Sequence, residues 1–144
     1  TGGYSNQALP EAPAHRLRVV CAGDQLALTW QRPTDGRFRY ALCAASGCRP
    51  AQDVSWSRVH DTRLVATPRG VLLLAAERRL LFARRDAKAT GRLGPLRPVT
   101  RWPRPPRRWT VVQGPTPAQL AVLLLDQGLS RLRSANGGLA WTGE

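Results

Sequence analysis

No apolar stretch in the 144 residues approaches the roughly 20 that a helix needs to cross a bilayer, and the longest run, Leu120 to Leu125, has the length of a strand. The chain is therefore expected to be soluble, with no membrane insertion. A cationic, apolar, small-residue leader is missing at Thr1, so the start reads as a mature or a cut end. Lysine is nearly missing too: Lys88 is the one lysine among 22 basic residues, and the others are arginine. Cysteine is limited to Cys21, Cys43 and Cys48, too few and too oddly spaced for a zinc site, which wants four ligands in paired spacing. No phosphate-cradling Gly loop and no other metal-binding spacing occurs, so neither a metal nor a cofactor is expected. Catalytic residue types are thin: Tyr4 and Tyr40 are the only tyrosines, Glu11, Glu77 and Glu144 the only glutamates, and His15 and His60 lack a Ser or Cys partner in a nucleophile motif.

What is present is a chain about one domain long, broken by 13 Gly and 12 Pro into short apolar runs, which reads as all-β. The formal charge of +13 suggests a polyanion partner, nucleic acid or heparin-like. The arginines, however, are spread from Arg16 to Arg133 instead of forming a basic patch, which an Arg-favouring composition would also produce. Residues 1–15 are polar, with Pro10 and Pro13 against helix, and form a tail or an edge strand. Leu17 to Cys21 and Leu26 to Trp30 then make two strands around a Gly23-Asp24 turn, with Cys21 expected to be a buried small hydrophobe. Thr34-Asp35-Gly36 supplies the next hairpin, because glycine tolerates the positive φ of such turns. Phe38, Tyr40 and Leu42 alternate with Arg37, Arg39 and Ala41, the period-two signature of a strand, and Val54 to Val59 is predicted as the fourth strand.

The same order returns twice. Arg63 to Ala66, Val71 to Ala76, Leu80 to Ala83 and Leu96 to Val99 make a second unit; Trp109 to Val112, Leu120 to Leu125 and Leu129 to Ser134 make a third. The apolar strands that begin at Leu26, Val71 and Leu120 are 45 and 49 residues apart, the size of a four-stranded propeller blade. Their runs are continuous, as strands covered on both faces require. A β-sandwich is the rival architecture. The units divide the chain into a first blade at 16–60, a second at 61–100 and a third at 101–144.

The third unit ends on Ser134-Ala135-Asn136-Gly137-Gly138-Leu139-Ala140-Trp141. This stretch resembles the Asp-box, or BNR, repeat of the sialidase-like β-propellers, whose pattern is Ser-x-Asp-x-Gly-x-Thr-Trp. Ser134, Gly138 and Trp141 are in register with it, Asn136 stands where the family has Asp, and Ala140 stands where it has Thr. The resemblance implies a structural hairpin corner: Asn136 ties the turn by side-chain hydrogen bonds and Trp141 packs between blades. Placing Cys43 on Ser134 puts Gly47 on Gly138, so Cys43 to Cys48 fills the same corner of the first unit without the acidic side chain. A Cys43–Cys48 disulfide would replace that tie and imply a secreted or periplasmic protein; two reduced cysteines are the alternative. Arg84 to Gly91, in the second unit, has turn residues but not the Asp-box spacing.

A sialidase of this fold needs an Arg cluster, a Tyr nucleophile assisted by Glu, and an Asp acid/base, converging at the propeller axis. No position here matches such a motif, so no catalytic residue is assigned. The connection Arg101 to Trp109 offers Trp102, Arg104, Arg107, Arg108 and Trp109 as candidate contacts for a carbohydrate or polyanion; the plainer reading is an inter-blade link with Arg stacked on Trp. Three blades are half of a six-bladed ring and would expose two apolar faces. The expected partner is thus a second propeller half, either a second copy or another chain of the same assembly. The functional expectation is a non-catalytic binding or structural module. The alternatives are part of a sialidase-type glycoside hydrolase and a polyanion-binding module.

Overall fold

The computed structural model describes residues 15–55, 58–102, 104, 106, 108–125 and 129–143. Every regular element among them is a strand. Three antiparallel sheets follow one another along the chain, each a meander of consecutive strands, and none closes on itself. The first contains β1 (His15–Ala22), β2 (Gln25–Gln31), β3 (Phe38–Ala44), β4 (Gly47–Cys48) and β5 (Gln52–Asp53). The second contains β6 (Asp61–Thr67), β7 (Gly70–Ala76), β8 (Leu80–Asp86) and β9 (Arg97–Arg101). The third contains β10 (Arg108–Gln113), β11 (Leu120–Leu125), β12 (Leu129–Ser134) and β13 (Thr142–Gly143).

The sheets stack face to face with the second in the middle, and side-chain parity shows why the sequence demands this. On β7, Val71, Leu73 and Ala75 enter one core with Ala27, Tyr40 and Leu42 of the first sheet. The intervening Leu72, Leu74 and Ala76 enter another with Leu120, Val122 and Leu124 of the third. A strand buried on both faces reads as a continuous apolar run, and β7 is that strand. On β11 only alternate residues are buried, because the far face of the third sheet is open; Val112, Leu125 and Leu129 lie on that face, Leu129 at 73% exposure. The first strands lie on one side of the stack, β6 against both β1 and β10.

Polar groups cross both interfaces. Thr29 and Thr62 share a buried hydroxyl hydrogen bond at 2.9 Å between the first two sheets. The Arg84 guanidinium donates to four backbone carbonyls, Asp53 and Val54 at 3.1 and 2.9 Å and Leu93 and Gly94 at 3.2 and 2.8 Å. Burial pushes the Arg84 guanidinium below its ordinary range. Between the second and third sheets, Gln113 donates to the Ala66 carbonyl at 2.8 Å and Arg85 to the Gly137 carbonyl.

Two sequence expectations are corrected. The fourth strand of the first sheet is not Val54 to Val59 but the two short pieces β4 and β5, both paired to β3. Pro50, which has no N–H to give a ladder, lies between them. Val54 and Val59 are apolar because they drop beneath the sheet into the first core, at 0% and 7% exposure. Cys21 is exposed, not buried, since Val20 and Ala22 take the core-facing positions of β1.

Candidate functional site

The strongest pattern in the structure is a single register position at which each sheet turns its outer corner. Leu26 pairs with Cys43, Val71 with Asp86 and Leu120 with Ser134. Cys43, Asp86 and Ser134 therefore occupy equivalent places near the end of the third strand of each sheet. Each reaches forward to close the following turn.

In the first sheet the closure is covalent. Cys43 and Cys48 form a disulfide across the β3–β4 pair, where the two residues are register partners with Cα atoms 3.9 Å apart. In the third sheet it is a set of hydrogen bonds. Ser134 Oγ accepts from the Gly138 N–H at 2.9 Å and donates to Asn136 Oδ1 at 2.9 Å, and Asn136 Oδ1 accepts from the Ala140 N–H at 3.0 Å. Gly138 has φ of 87°, and a Cβ there would lie 2.5 Å from Leu72 of the neighbouring sheet. Trp141 packs against the core shared by the second and third sheets.

Arg84 to Gly91 of the second sheet has turn residues without the spacing of Ser134 to Trp141, yet Asp86 supplies a tie. Its carboxylate is fully buried and accepts from the Thr90 N–H and the Gly91 N–H, each at 2.7 Å. The Tyr40 hydroxyl of the first sheet donates to it at 2.9 Å. Burial, reinforced by the Asp86 charge, pushes the Tyr40 phenol far above its ordinary value. Sequence spacing missed Asp86 because it sits in register with Ser134, not with Asn136. The signal was an Asp opposite the first residue of the apolar strand.

Among the candidate ligand contacts, Trp102 and Trp109 are buried at 6% and 8% exposure and belong to the second core. Their centroids are 6.4 Å apart. The plainer reading of that connection fits, with a substitution: the arginine over the Trp109 ring, at 4.9 Å, is Arg63 of β6. Arg63 also donates to the Trp109 carbonyl at 3.1 Å. Arg104 and Arg108 are exposed, and Arg107 lies outside the described residues.

Among the described residues the remaining catalytic residue types do not converge. Tyr40 is buried in the first core and Glu77 sits at the β7–β8 corner, while Tyr4, Glu11 and Glu144 lie outside the described residues. Among the described residues no three His, Cys, Asp or Glu side chains gather as metal ligands, and no helix is long and apolar enough to cross a membrane. No protein-family model, no curated protein and no solved structure matches the chain.

Proposed function

We propose that the chain is a three-bladed segment of a sialidase-like β-propeller that acts as a non-catalytic binding or structural module and is completed by further blades. The observation carrying this reading is the repetition of one sheet three times with the same strand order and the same tied corner, stacked so that β1, β6 and β10 lie together. A radial stack of meander sheets is the propeller plan, and closed rings have at least four blades. The open face of the third sheet, with Val112, Leu125 and Leu129, is where the next blade docks; at the other end of the stack Leu17 and Val19, both 46% exposed, mark the β1 edge of a face whose centre, at Leu28, Trp30 and Ala41, is already buried. A head-to-tail contact of the third-sheet face with this β1 edge, made twice, closes a six-bladed ring from two copies. The Cys43–Cys48 disulfide supports a secreted or periplasmic setting.

Light scattering tests the assembly. The purified chain should run near twice its 15.8 kDa, and Leu129→Asp or Val19→Asp should return it to a monomer. A stable wild-type monomer at micromolar concentration would count against self-completion. A glycoside hydrolase reading gains nothing from Tyr40, whose hydroxyl is committed to Asp86. A polyanion reading is weakened by the number of guanidinium groups spent on inter-sheet hydrogen bonds, Arg63, Arg84 and Arg85 among them.

A further inference from the structure

We infer that the cleft between the β2–β3 turn of the first sheet and the segment leading into β6 is a binding site for a phosphate monoester on a small polar molecule. The cleft encloses about 630 Å³ and is lined by Arg16, Asp35, Arg37, Arg58, Val59 and His60, together with the Gln31–Gly36 corner. That volume lies in the range of small-molecule sites and exceeds what a bare oxyanion fills, so the anion brings an attached group with it. The lining is polar: Val59 is the one apolar side chain among the described residues that line it, and the attached group is hydrophilic, of the size of a sugar.

Charge selects the anion. Among the described residues three guanidinium groups face one carboxylate in the lining, leaving an excess of two positive charges. The carboxylate does not compete as a free acceptor. Asp35 is gripped by the Arg32 guanidinium at 2.6 and 3.1 Å and accepts from the Arg37 N–H at 3.1 Å, which together pull it to about 2. The cations, in contrast, keep donors in hand. Arg58 makes no hydrogen bond or ion pair among the described residues, and Arg16 spends a single Nη1 on the His60 carbonyl at 2.9 Å. Arg37 is shared between Asp35 and Asp53. A phosphate monoester carries close to two negative charges at neutral pH and offers three acceptor oxygens to forks approaching from different sides. A carboxylate carries one charge and is saturated by one fork.

The backbone aims one of these forks on purpose. The β1–β2 ladder slips between His15 and Arg18, and within that irregularity Arg16 adopts φ of 52°, a left-handed conformation that an arginine rarely takes. From this position the guanidinium reaches the His60 carbonyl in the segment leading into β6, and it lines the cleft together with Arg58. Strain of this kind persists where the surrounding structure holds it, and it gathers at ligand sites. The site lies within the first two units and does not depend on ring closure.

Calorimetric titration at low salt tests the inference, with glucose 6-phosphate as the probe and glucose, glucuronate and inorganic phosphate as comparisons. Glucose 6-phosphate should bind at least tenfold more tightly than glucuronate, and glucose should not bind. Arg58→Ala and Arg16→Gly, the latter keeping the left-handed backbone without the side chain, should each weaken the sugar phosphate at least tenfold. Arg92→Ala, an exposed arginine elsewhere, should leave it unchanged. The inference is overturned if glucose 6-phosphate shows no binding at about 10 mM, an affinity weaker than about 3 kcal/mol. It is also overturned if glucuronate equals it, or if Arg92→Ala and Arg58→Ala weaken it alike, which would mean diffuse attraction to a basic surface. Inorganic phosphate binding as well as the sugar phosphate would refute the attached-group part.

Discussion

Replacing Asp86 should cost more stability than any exposed charge change in the chain, and the cost can be worked from its partners. The buried carboxylate accepts from the Thr90 and Gly91 N–H groups at 2.7 Å and from the Tyr40 hydroxyl at 2.9 Å. A hydrogen bond to a charged acceptor contributes about 1.5–3 kcal/mol, and removing the acceptor strands its donors. Asp86→Ala should therefore cost about 3–5 kcal/mol, the range for breaking a buried charged network. Asp86→Asn should not rescue it. Both carboxylate oxygens accept from backbone N–H groups, so either amide orientation turns an NH₂ toward a donor, and a loss of about 2–3 kcal/mol is expected. Tyr40→Phe removes one donor and leaves the carboxylate otherwise satisfied, at about 1.5 kcal/mol. Urea unfolding of the four proteins in a Tyr40→Phe/Asp86→Ala cycle should give a coupling of about 1–2 kcal/mol. Coupling below about 0.3 kcal/mol, with Asp86→Asn at wild-type stability, would refute the claim that this network joins the first two sheets.

Tyr40 also sets an alkaline limit. Its folded-state value is raised by burial, so the native state keeps the proton while the unfolded chain releases it above its ordinary value of about 10. The contribution is complete below pH 10 and falls by about 1.4 kcal/mol per pH unit above it, and Tyr40→Phe should lack that slope in unfolding titrations. The Cys43–Cys48 disulfide closes a short loop, so Cys43→Ser with Cys48→Ser should cost about 2 kcal/mol, and thiol counting before reduction should find Cys21 alone. A Cβ at Gly70, φ 100°, would sit 2.1 Å from the Asp86 carbonyl oxygen. Gly70→Ala should lower the melting temperature by more than 5 °C, on the order of 2 kcal/mol. Asn136→Ala removes the acceptor of the Ala140 N–H and should cost about 1 kcal/mol, whereas Asn136→Asp keeps it and should be close to neutral.

Most strand positions were legible because two signals agreed, the apolar period and the turn residues between runs. Leu120 to Leu125 and Leu129 to Ser134 coincide with β11 and β12. Legibility failed where one residue type serves two purposes. Val54 and Val59 look like strand residues because they are β-branched and apolar, but burial in the first core satisfies the same chemistry without a ladder. Cys21 misled for the opposite reason: β1 is apolar on both faces, so its sequence does not say which parity meets the second sheet. Trp102 and Trp109 stand among arginines and prolines, as exposed aromatics do, while the guanidinium that covers Trp109 comes from Arg63, 46 residues earlier. Contacts of that range leave no local trace. The arginine cleft escaped for the same reason, since Arg16, Arg37 and Arg58 are brought together only by the stacking of two sheets.

The three corners show what the repeat preserves. Cys43 reaches Cys48, five residues on; Asp86 reaches Thr90 and Gly91, four and five on; Ser134 reaches Gly138, four on. The constant is a link of four or five residues from one register position, and the bond that makes it is a disulfide, a charged hydrogen bond or a hydroxyl hydrogen bond. In the second and third sheets Asp86 and Ser134 accept turn N–H groups that would otherwise lack an internal partner, and in the first the disulfide ties the turn covalently. Chemistry at each corner follows its surroundings. Asp86 faces the first sheet, where the Tyr40 hydroxyl and two N–H groups compensate a charge, and the carboxylate ties its own turn to the neighbouring sheet. Cys43 belongs to the apolar cluster on the outer side of the first sheet, where the same carboxylate would be buried without Tyr40, and a disulfide closes the loop with no charge to desolvate. A motif defined by residue identity finds one of these corners; the register finds all three.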